Sequence, residues 1–246
     1  MTGSPTFDFA GARVLVTGGS RGIGRAVAQA FHDAGASVAV TGTRPTASDY
    51  DTGLDGFDYN CVDSTDAEAV DDFAASLDRL DVLVNNAGAN GMDEASPDGF
   101  AESVQLNLLA AHRLMARTEA LLAASELDGG ASVVNVASMA AFRPAAFVPG
   151  YGAAKAGIVQ MTKQYALLWA PSGVRVNAVA PGLIGTDMTA PMRAFDEITE
   201  AELAKVPMRR WGTPADLVGA FLFLASPAAR FITGQTLCID GGYSVT

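Results

Sequence analysis

Short apolar runs alternate with longer amphipathic stretches along the whole chain. Residues 13–16, Arg-Val-Leu-Val, read as a short buried strand, and residues 22–34 read as a helix with Val27, Ala28 and Phe31 on one stripe. Six further runs rich in β-branched residues predict strands at 38–40, 59–62, 82–84, 132–136, 174–179 and 237–239. Continuous apolar runs separated by helical stretches indicate a parallel sheet covered on both faces, because each side of every strand must then be apolar. No repeat, low-complexity tract or linker divides the sequence, so one domain over residues 1–246 is expected.

Two connections depart from the alternation. Between Thr41 and Phe57 the chain carries Pro45, Gly53, Gly56 and the aspartates 49, 51 and 55, which disfavour a crossover helix and predict an irregular or one-turn link. The stretch 183–211 lacks a strand and is rich in Met188, Met192, Phe195, Met208 and Trp211. It reads either as surface helix packed on the core or as a mobile lid, since long insertions near a sheet's carboxyl edge often cover a site.

The first strand runs straight into Thr17-Gly18-Gly19-Ser20-Arg21-Gly22-Ile23-Gly24, and a helix follows. Glycines let the backbone approach a pyrophosphate, and the free N–H groups and dipole of the helix start favour the anion. Further on, Tyr151 and Lys155 stand four residues apart in a helical run, which stacks phenol and ammonium on one face. Moving a phenol pKa from near 10 to about 7 needs roughly 4 kcal/mol. One ammonium at ~4 Å with an effective dielectric of ~20 supplies about that much.

Composition narrows the partners. The formal charge of −11 argues against nucleic acid or an anionic membrane surface as a general partner. No apolar run approaches the ~18 residues of a membrane span. Residues 1–10 show no basic region followed by an apolar stretch, so no signal peptide is expected. Cys61 and Cys238 both lie in apolar runs and are expected as buried, reduced thiols of a cytoplasmic protein. His32 and His112 have no second ligand at metal spacing, so no metal site is expected.

Thr17-Gly18-x-x-x-Gly22-Ile23-Gly24, Asn85-Asn86-Ala87-Gly88, Asn107, Ser138, Tyr151-x-x-x-Lys155 and Pro181-Gly182 with Thr186 occur in this order. In order and spacing the chain resembles the short-chain dehydrogenase/reductase family, out to Asp240-Gly241-Gly242. The expected fold is a single doubly wound Rossmann-type α/β domain with seven parallel strands in the order 3-2-1-4-5-6-7 and helices on both faces. The resemblance implies that Tyr151 is the general acid or base, with its pKa depressed by Lys155, which also binds the nicotinamide ribose. It implies that Ser138 holds the substrate oxygen and that Asn107 anchors a water for proton relay. Alone, Ser138 would read as a strand-end cap and Asn107 as a polar residue inside a helix. Asn86, Ala87 and Gly88 would pass under the cofactor ribose, Asp63 would meet the adenine edge, and Ile184 and Thr186 after Pro181-Gly182 would fix the nicotinamide amide. Asp63 also reads as a turn or helix-cap aspartate.

A carboxylate at the end of the second strand would bind the ribose 2′-hydroxyl of NAD(H) and repel a 2′-phosphate. Here the strand ends in Thr41-Gly42-Thr43-Arg44, so Arg21, Thr43 and Arg44 are expected to favour NADP(H), with NAD(H) as the alternative. Asn90, Met92, Met139, Phe142, Phe147, Met188 and Met192 are expected to line the substrate pocket beside Ser138, which suits a small, mainly apolar ketone or secondary alcohol. Arg143 would either hold an acidic group or lie solvated at the surface. Within the family the chain looks most like 3-oxoacyl-carrier-protein reductases, with Pro207-Met208-Arg209-Arg210 following their pattern. However, residues 126–131 and 170–173 lack the arginines that such relatives carry there, and the negative charge makes docking of an acidic carrier poor. An epimerase or dehydratase of the extended relatives would share the Tyr-x-x-x-Lys pair but has a different glycine spacing. A non-enzymatic nucleotide-sensing protein on the same fold typically loses part of the catalytic set retained here. The resemblance also implies a homotetramer built on the helices after Asn107 and Tyr151.

Overall fold

In the computed structural model, which describes residues 7–246, successive residues of β1 (Arg13–Val16) point to opposite, equally apolar faces of a sheet. Val14 and Val16 join one core cluster and Leu15 the other. The same split recurs in β4 (Val82–Asn85), where Val82 and Val84 oppose Leu83, and in β5 (Ser132–Val136), where Val134 and Val136 oppose Val133. Burial on both sides is why these strands read as unbroken β-branched runs.

With β2 (Ser37–Gly42), β3 (Asp58–Cys61), β6 (Arg175–Pro181) and β7 (Thr236–Ile239), the sheet is seven-stranded in the order β3-β2-β1-β4-β5-β6-β7. Every pairing is parallel. One face is covered by α1 (Gly22–Asp33) and α8 (Pro214–Ala225), through Val27, Ala28, Phe31, Leu217 and Phe221. The other is covered by α2 (Ala67–Ser76), α4 (Ala110–Ala123) and α5 (Pro149–Trp169), through Phe73, Met115, Leu122 and Trp169. The result is the single Rossmann-type domain in the expected strand order. The order reverses between β1 and β4, which opens a crevice outside their carboxyl ends where such folds bind ligands.

The link between β2 and β3 contains a single 3-10 turn, Ala47–Asp49, closed by mutual bonds between Thr46 and Asp49. The stretch after β6 holds α6 (Ala190–Arg193) and α7 (Asp196–Leu203) and is pinched at its base by a parallel bridge between Ile184 and Gly212. The expectation about the cysteines needs correction. Cys61 is exposed and Cys238 half-buried, because β3 and β7 are the edge strands and are covered less completely. Among the described residues no helix is long and apolar enough to cross a membrane, and no three His, Cys, Asp or Glu side chains group to hold a metal. The expectation of no signal peptide falls largely on residues 1–6, outside the described residues.

Candidate active site

Gly18 and Gly22 take positive φ angles of 61° and 57°, so the loop after β1 turns in a way that L side chains resist. A Cβ on Gly24 would lie 2.4 Å from both Gly18 O and Asn86 Nδ2, so the helix start and the loop pack backbone to backbone. Asn86 Nδ2 donates to Thr17 O and Gly18 O, at 2.9 and 3.1 Å, and Thr17 Oγ1 accepts from the N–H groups of Asn86 and Ala87. The end of β4 therefore braces the glycine loop. Arg21 is the N-cap residue of α1, its side chain makes no cap bond, and the first turn of the helix carries no acid. Its first N–H groups are thus left for an anion, and the cradle fits the pyrophosphate of a dinucleotide. Across the crevice, Thr186 comes within 3.6 Å of where a Gly22 Cβ would stand.

The remaining predicted residues converge beside this loop, at the carboxyl ends of β4, β5 and β6. Ser138 follows β5, its side chain lies close enough to the Tyr151 phenol to favour the phenolate, and its Oγ accepts from Ala140 N. The expected cap at the strand end is present. Lys155 is 3% exposed; its Nζ donates to Val136 O at 2.7 Å and lies 5.5 Å from the centre of the Tyr151 ring. Asn107 sits in a π-helical turn, Gln105–Leu109, whose extra residue turns its side chain inward. There its Oδ1 accepts from Ala89 N, and its Nδ2 donates to Ala89 O and Ser103 O. A Cβ on Gly88 would stand 2.5 Å from Asn107 Oδ1 and 3.5 Å from Lys155 Nζ, so Gly88 is where the two groups approach each other.

The electrostatics differ from the expectation. Burial pushes the Tyr151 phenol above its ordinary pKa, with Ser138 opposing and the charge of Glu94 adding to the rise. Burial also lowers Lys155 to about 8. Desolvation outweighs the depression expected of the ammonium, which is turned toward Val136 O.

Glu94 went unnoticed in the sequence, where it reads as a solvated acid ahead of a helix. It is 2% exposed and accepts from the backbone N–H of Tyr151. Only the fold brings it there, and no periodicity marks it.

After β2, Thr43 and Arg44 both donate their backbone N–H to the Tyr50 phenol oxygen, at 2.9 and 3.0 Å. Burial resists ionisation of Tyr50, but bonds from Tyr59, Arg44, Ser20 and Thr43 together bring its pKa down to about 8. Arg44 stacks on the Tyr50 ring and donates to Asp49 O, while Arg21 is exposed on the glycine loop. Asp63 is exposed and accepts from Thr65 N and Oγ1, which holds its carboxyl below the usual range; the cap of α2 is Asp66 instead.

Pro181 ends β6, and Gly182 packs against Asp240, whose Cα would lie 2.6 Å from a Cβ there. Ile184 is buried, and Thr186 is bonded to Thr189. Asn90, Met92, Phe142, Phe147 and Met188 are all exposed, so none of them lies in an enclosed pocket. Met139 is 4% exposed and belongs to the packed interior, because the 3-10 turn after Ser138 points it inward. Arg143 does not lie free at the surface. It donates to Tyr243 O and Thr246 Oγ1 and stacks on the Tyr243 ring.

A family model described as Enoyl-(Acyl carrier protein) reductase matches residues 18–244. The 2-dehydro-3-deoxy-D-gluconate 5-dehydrogenase of Bacillus subtilis is 36% identical, over 96% of each chain. The 3-oxoacyl-[acyl-carrier-protein] reductase FabG of Vibrio cholerae is 38% identical, over 93% of this chain and 95% of that one. Among solved structures, a provisionally named 2-deoxy-D-gluconate 3-dehydrogenase from Agrobacterium tumefaciens with bound NADP is 34% identical. It superposes with a TM-score of 0.88 over 99% of this chain and 100% of that one.

Proposed function

The chain belongs to the short-chain dehydrogenase/reductase family, and on that premise we propose that it moves a hydride between NADP(H) and a small, mainly apolar ketone or secondary alcohol. It is an NAD(P)-dependent oxidoreductase acting on CH–OH groups. The observation that carries the proposal is the meeting of Ser138, Tyr151 and Lys155 beside the glycine loop.

In the reductive direction Tyr151 gives its phenolic proton to the carbonyl oxygen, and its raised pKa keeps that proton in place until needed. Ser138 Oγ donates a hydrogen bond to the same oxygen as negative charge builds there. Lys155 holds the nicotinamide ribose, and Asn107 anchors a water through which the proton is replaced. Bound in the crevice, the nicotinamide supplies or accepts the hydride. Gly18, Ser20, Arg21, Gly22, Ile23 and Gly24 would hold the pyrophosphate side, and Asn86, Ala87 and Gly88 would serve the ribose. Asp63 serves the adenine, and Pro181, Gly182, Ile184 and Thr186 serve the carboxamide.

NADP(H) preference is supported by the absence of a carboxylate in Thr41-Gly42-Thr43-Arg44 and by the two arginines flanking the adenosine end. The apolar substrate is supported by the exposed apolar side chains of Met92, Phe142, Phe147 and Met188, and residues 183–211 serve as its lid. A second reading, 3-oxoacyl-carrier-protein reductase, is favoured by the Vibrio cholerae relative, while the charge of −11 stands against docking an acidic carrier. Leu109, Leu167 and Leu168 are exposed on the helical layer, which supports a homotetramer.

A screen of apolar ketones and alcohols, sugar acids and carrier-bound acyl chains, followed by reduced-nicotinamide absorbance with both cofactors, tests the reading. Strong preference for a sugar acid or a carrier-bound chain overturns the apolar assignment. A monomer by light scattering overturns the tetramer.

A further inference from the structure

Glu94 is a carboxylate 2% exposed to solvent, and among the described residues it takes part in no ion pair. A buried charge without a counter-ion persists only where donors converge on it. Three do. Oε1 accepts from Gly91 N at 2.7 Å and Ser103 Oγ at 3.2 Å, and Oε2 accepts from Tyr151 N at 2.7 Å.

The last of these contacts is the informative one. Tyr151 lies in the first turn of α5, where backbone N–H groups have no partner within the helix. The residue at the N-cap position, Val148, has no side chain able to serve them. The 21-residue helix that carries both Tyr151 and Lys155 therefore takes its cap from 57 residues upstream. A negative charge there also complements the helix dipole. The opposite oxygen reaches the rest of the site. Ser103, bonded to Glu94, receives Asn107 Nδ2 on its own oxygens, and Asn107 Oδ1 stands beside Gly88 and Lys155.

We propose that Glu94 is a positioning residue for the proton donor: its carboxylate fixes the first turn of α5, and so the placement of Tyr151, while tying the substrate-side loop and α3 (Pro97–Val104) to that turn. This rests on the reading of Tyr151 as proton donor. Glutamine cannot replace it, because both oxygens accept from N–H groups and an amide would turn its own NH₂ toward one of them. Charge matters as well as shape. The groups near Tyr151 are Lys155 from its own helix, Ser138 from the end of β5 and Glu94, bonded to its backbone N–H, from the loop after β4. Asp98 and Glu102 of α3 are exposed, and Arg143 is held by Tyr243 and Thr246. Glu94 is thus the carboxylate whose field opposes the phenolate.

The test compares wild type, Glu94→Gln and Glu94→Asp by three readouts: steady-state alcohol oxidation against pH, thermal melting, and ring-NMR titration of Tyr151 in the ligand-free protein. The Tyr151 signal is assigned by its loss in Tyr151→Phe. For Glu94→Gln we expect kcat to fall at least tenfold with KM within twofold, and the phenol midpoint to move down from its wild-type value. Glu94→Asp keeps the charge, so its midpoint stays at the wild-type value; its shorter arm cannot span Gly91 and Tyr151, so kcat still falls. An unmoved phenol midpoint in Glu94→Gln overturns the proposal even if kcat falls, since a merely structural contact gives that pattern. Unchanged kcat in Glu94→Asp overturns it too, and that variant decides alone if Glu94→Gln does not fold. If Tyr151→Phe retains turnover, the proton-donor reading fails, while the titration still decides whether Glu94 governs Tyr151.

Discussion

Lys155 Nζ donates to the carbonyl oxygen of Val136 at 2.7 Å, which ties the ammonium on α5 to the end of β5, two residues before Ser138. Site and scaffold share this bond, and it places a charge where solvent does not reach.

That placement has a stability signature. Burial lowers Lys155 from 10.5 to about 8. Below pH 8 folded and unfolded chains both carry the proton, and the full cost of burying it is present. Between about 8 and 10.5 the folded chain sheds a proton that the unfolded chain keeps, so the cost fades and stability rises with pH. The span is worth about 3 kcal/mol. Lys155→Met is expected to melt higher than wild type at neutral pH, to lose that advantage toward pH 10, and to lose both turnover and cofactor affinity. Melting curves across this range check it; a variant that melts lower at neutral pH contradicts it.

Tyr151→Phe removes the proton donor and little else. Turnover should fall by about 10²-fold or more, with cofactor affinity nearly unchanged by fluorescence titration. Retention of more than about a tenth of wild-type turnover would falsify the general-acid assignment.

Gly88→Ala should act through its neighbours. The added Cβ would stand 2.5 Å from Asn107 Oδ1 and 3.5 Å from Lys155 Nζ, so one of the two must move. A displacement of that order costs about 10²-fold in turnover, with the circular dichroism of the fold retained. Wild-type kinetics would show that the two groups have room to spare.

Arg44→Ala should lower NADP(H) affinity by roughly ten- to a hundredfold and spare NAD(H), since a charged hydrogen bond is worth about 1.5–3 kcal/mol. Its guanidinium now stacks on Tyr50 and bonds to Asp49 O, so binding must redirect it. Equal losses for both cofactors in calorimetry would mean that Arg44 serves only the β2–β3 link.

Arg175→Met tests a purely structural site. The buried guanidinium donates to the carbonyls of Gly129, Leu224, Ala225, Ser226 and Ala229, gathering the carboxyl end of α8 where a cation suits the dipole. Leaving those carbonyls unpaired should cost about 3 kcal/mol or more. The loss would appear as a lower Tm, with kcat below the transition unaffected. A Tm within a degree or so of wild type would mean that water replaces the guanidinium at these carbonyls.

Much of this was legible in one dimension. The strand runs, the glycine turn and the Tyr151–Lys155 spacing are local signals, because strand and helix periodicity and backbone permissiveness are set by near neighbours. They were sufficient for the fold, for the irregular β2–β3 link, and for the location of the glycine loop and of Ser138, Tyr151 and Lys155. What failed depended on surroundings. Cys61 and Cys238 sit in apolar runs, but their strands are the sheet's edges. Met139 looked like a pocket residue and is packed inside, while Arg143 is claimed by the chain's last residues.

The sequence by itself determined the family, the strand order and where the glycine-rich loop and the Tyr151–Lys155 pair fall along the chain, because each is written in near neighbours. Only the tertiary structure decided how those groups are charged and held. Desolvation and long-range hydrogen bonds depend on what packs around a group, and that comes from distant segments: Glu94 capping the turn of Tyr151, Val136 receiving Lys155, Asn86 bracing Gly18. A pKa or a cap supplied across the fold leaves no periodic mark in the chain, because it is a property of the enclosed volume and not of the residue.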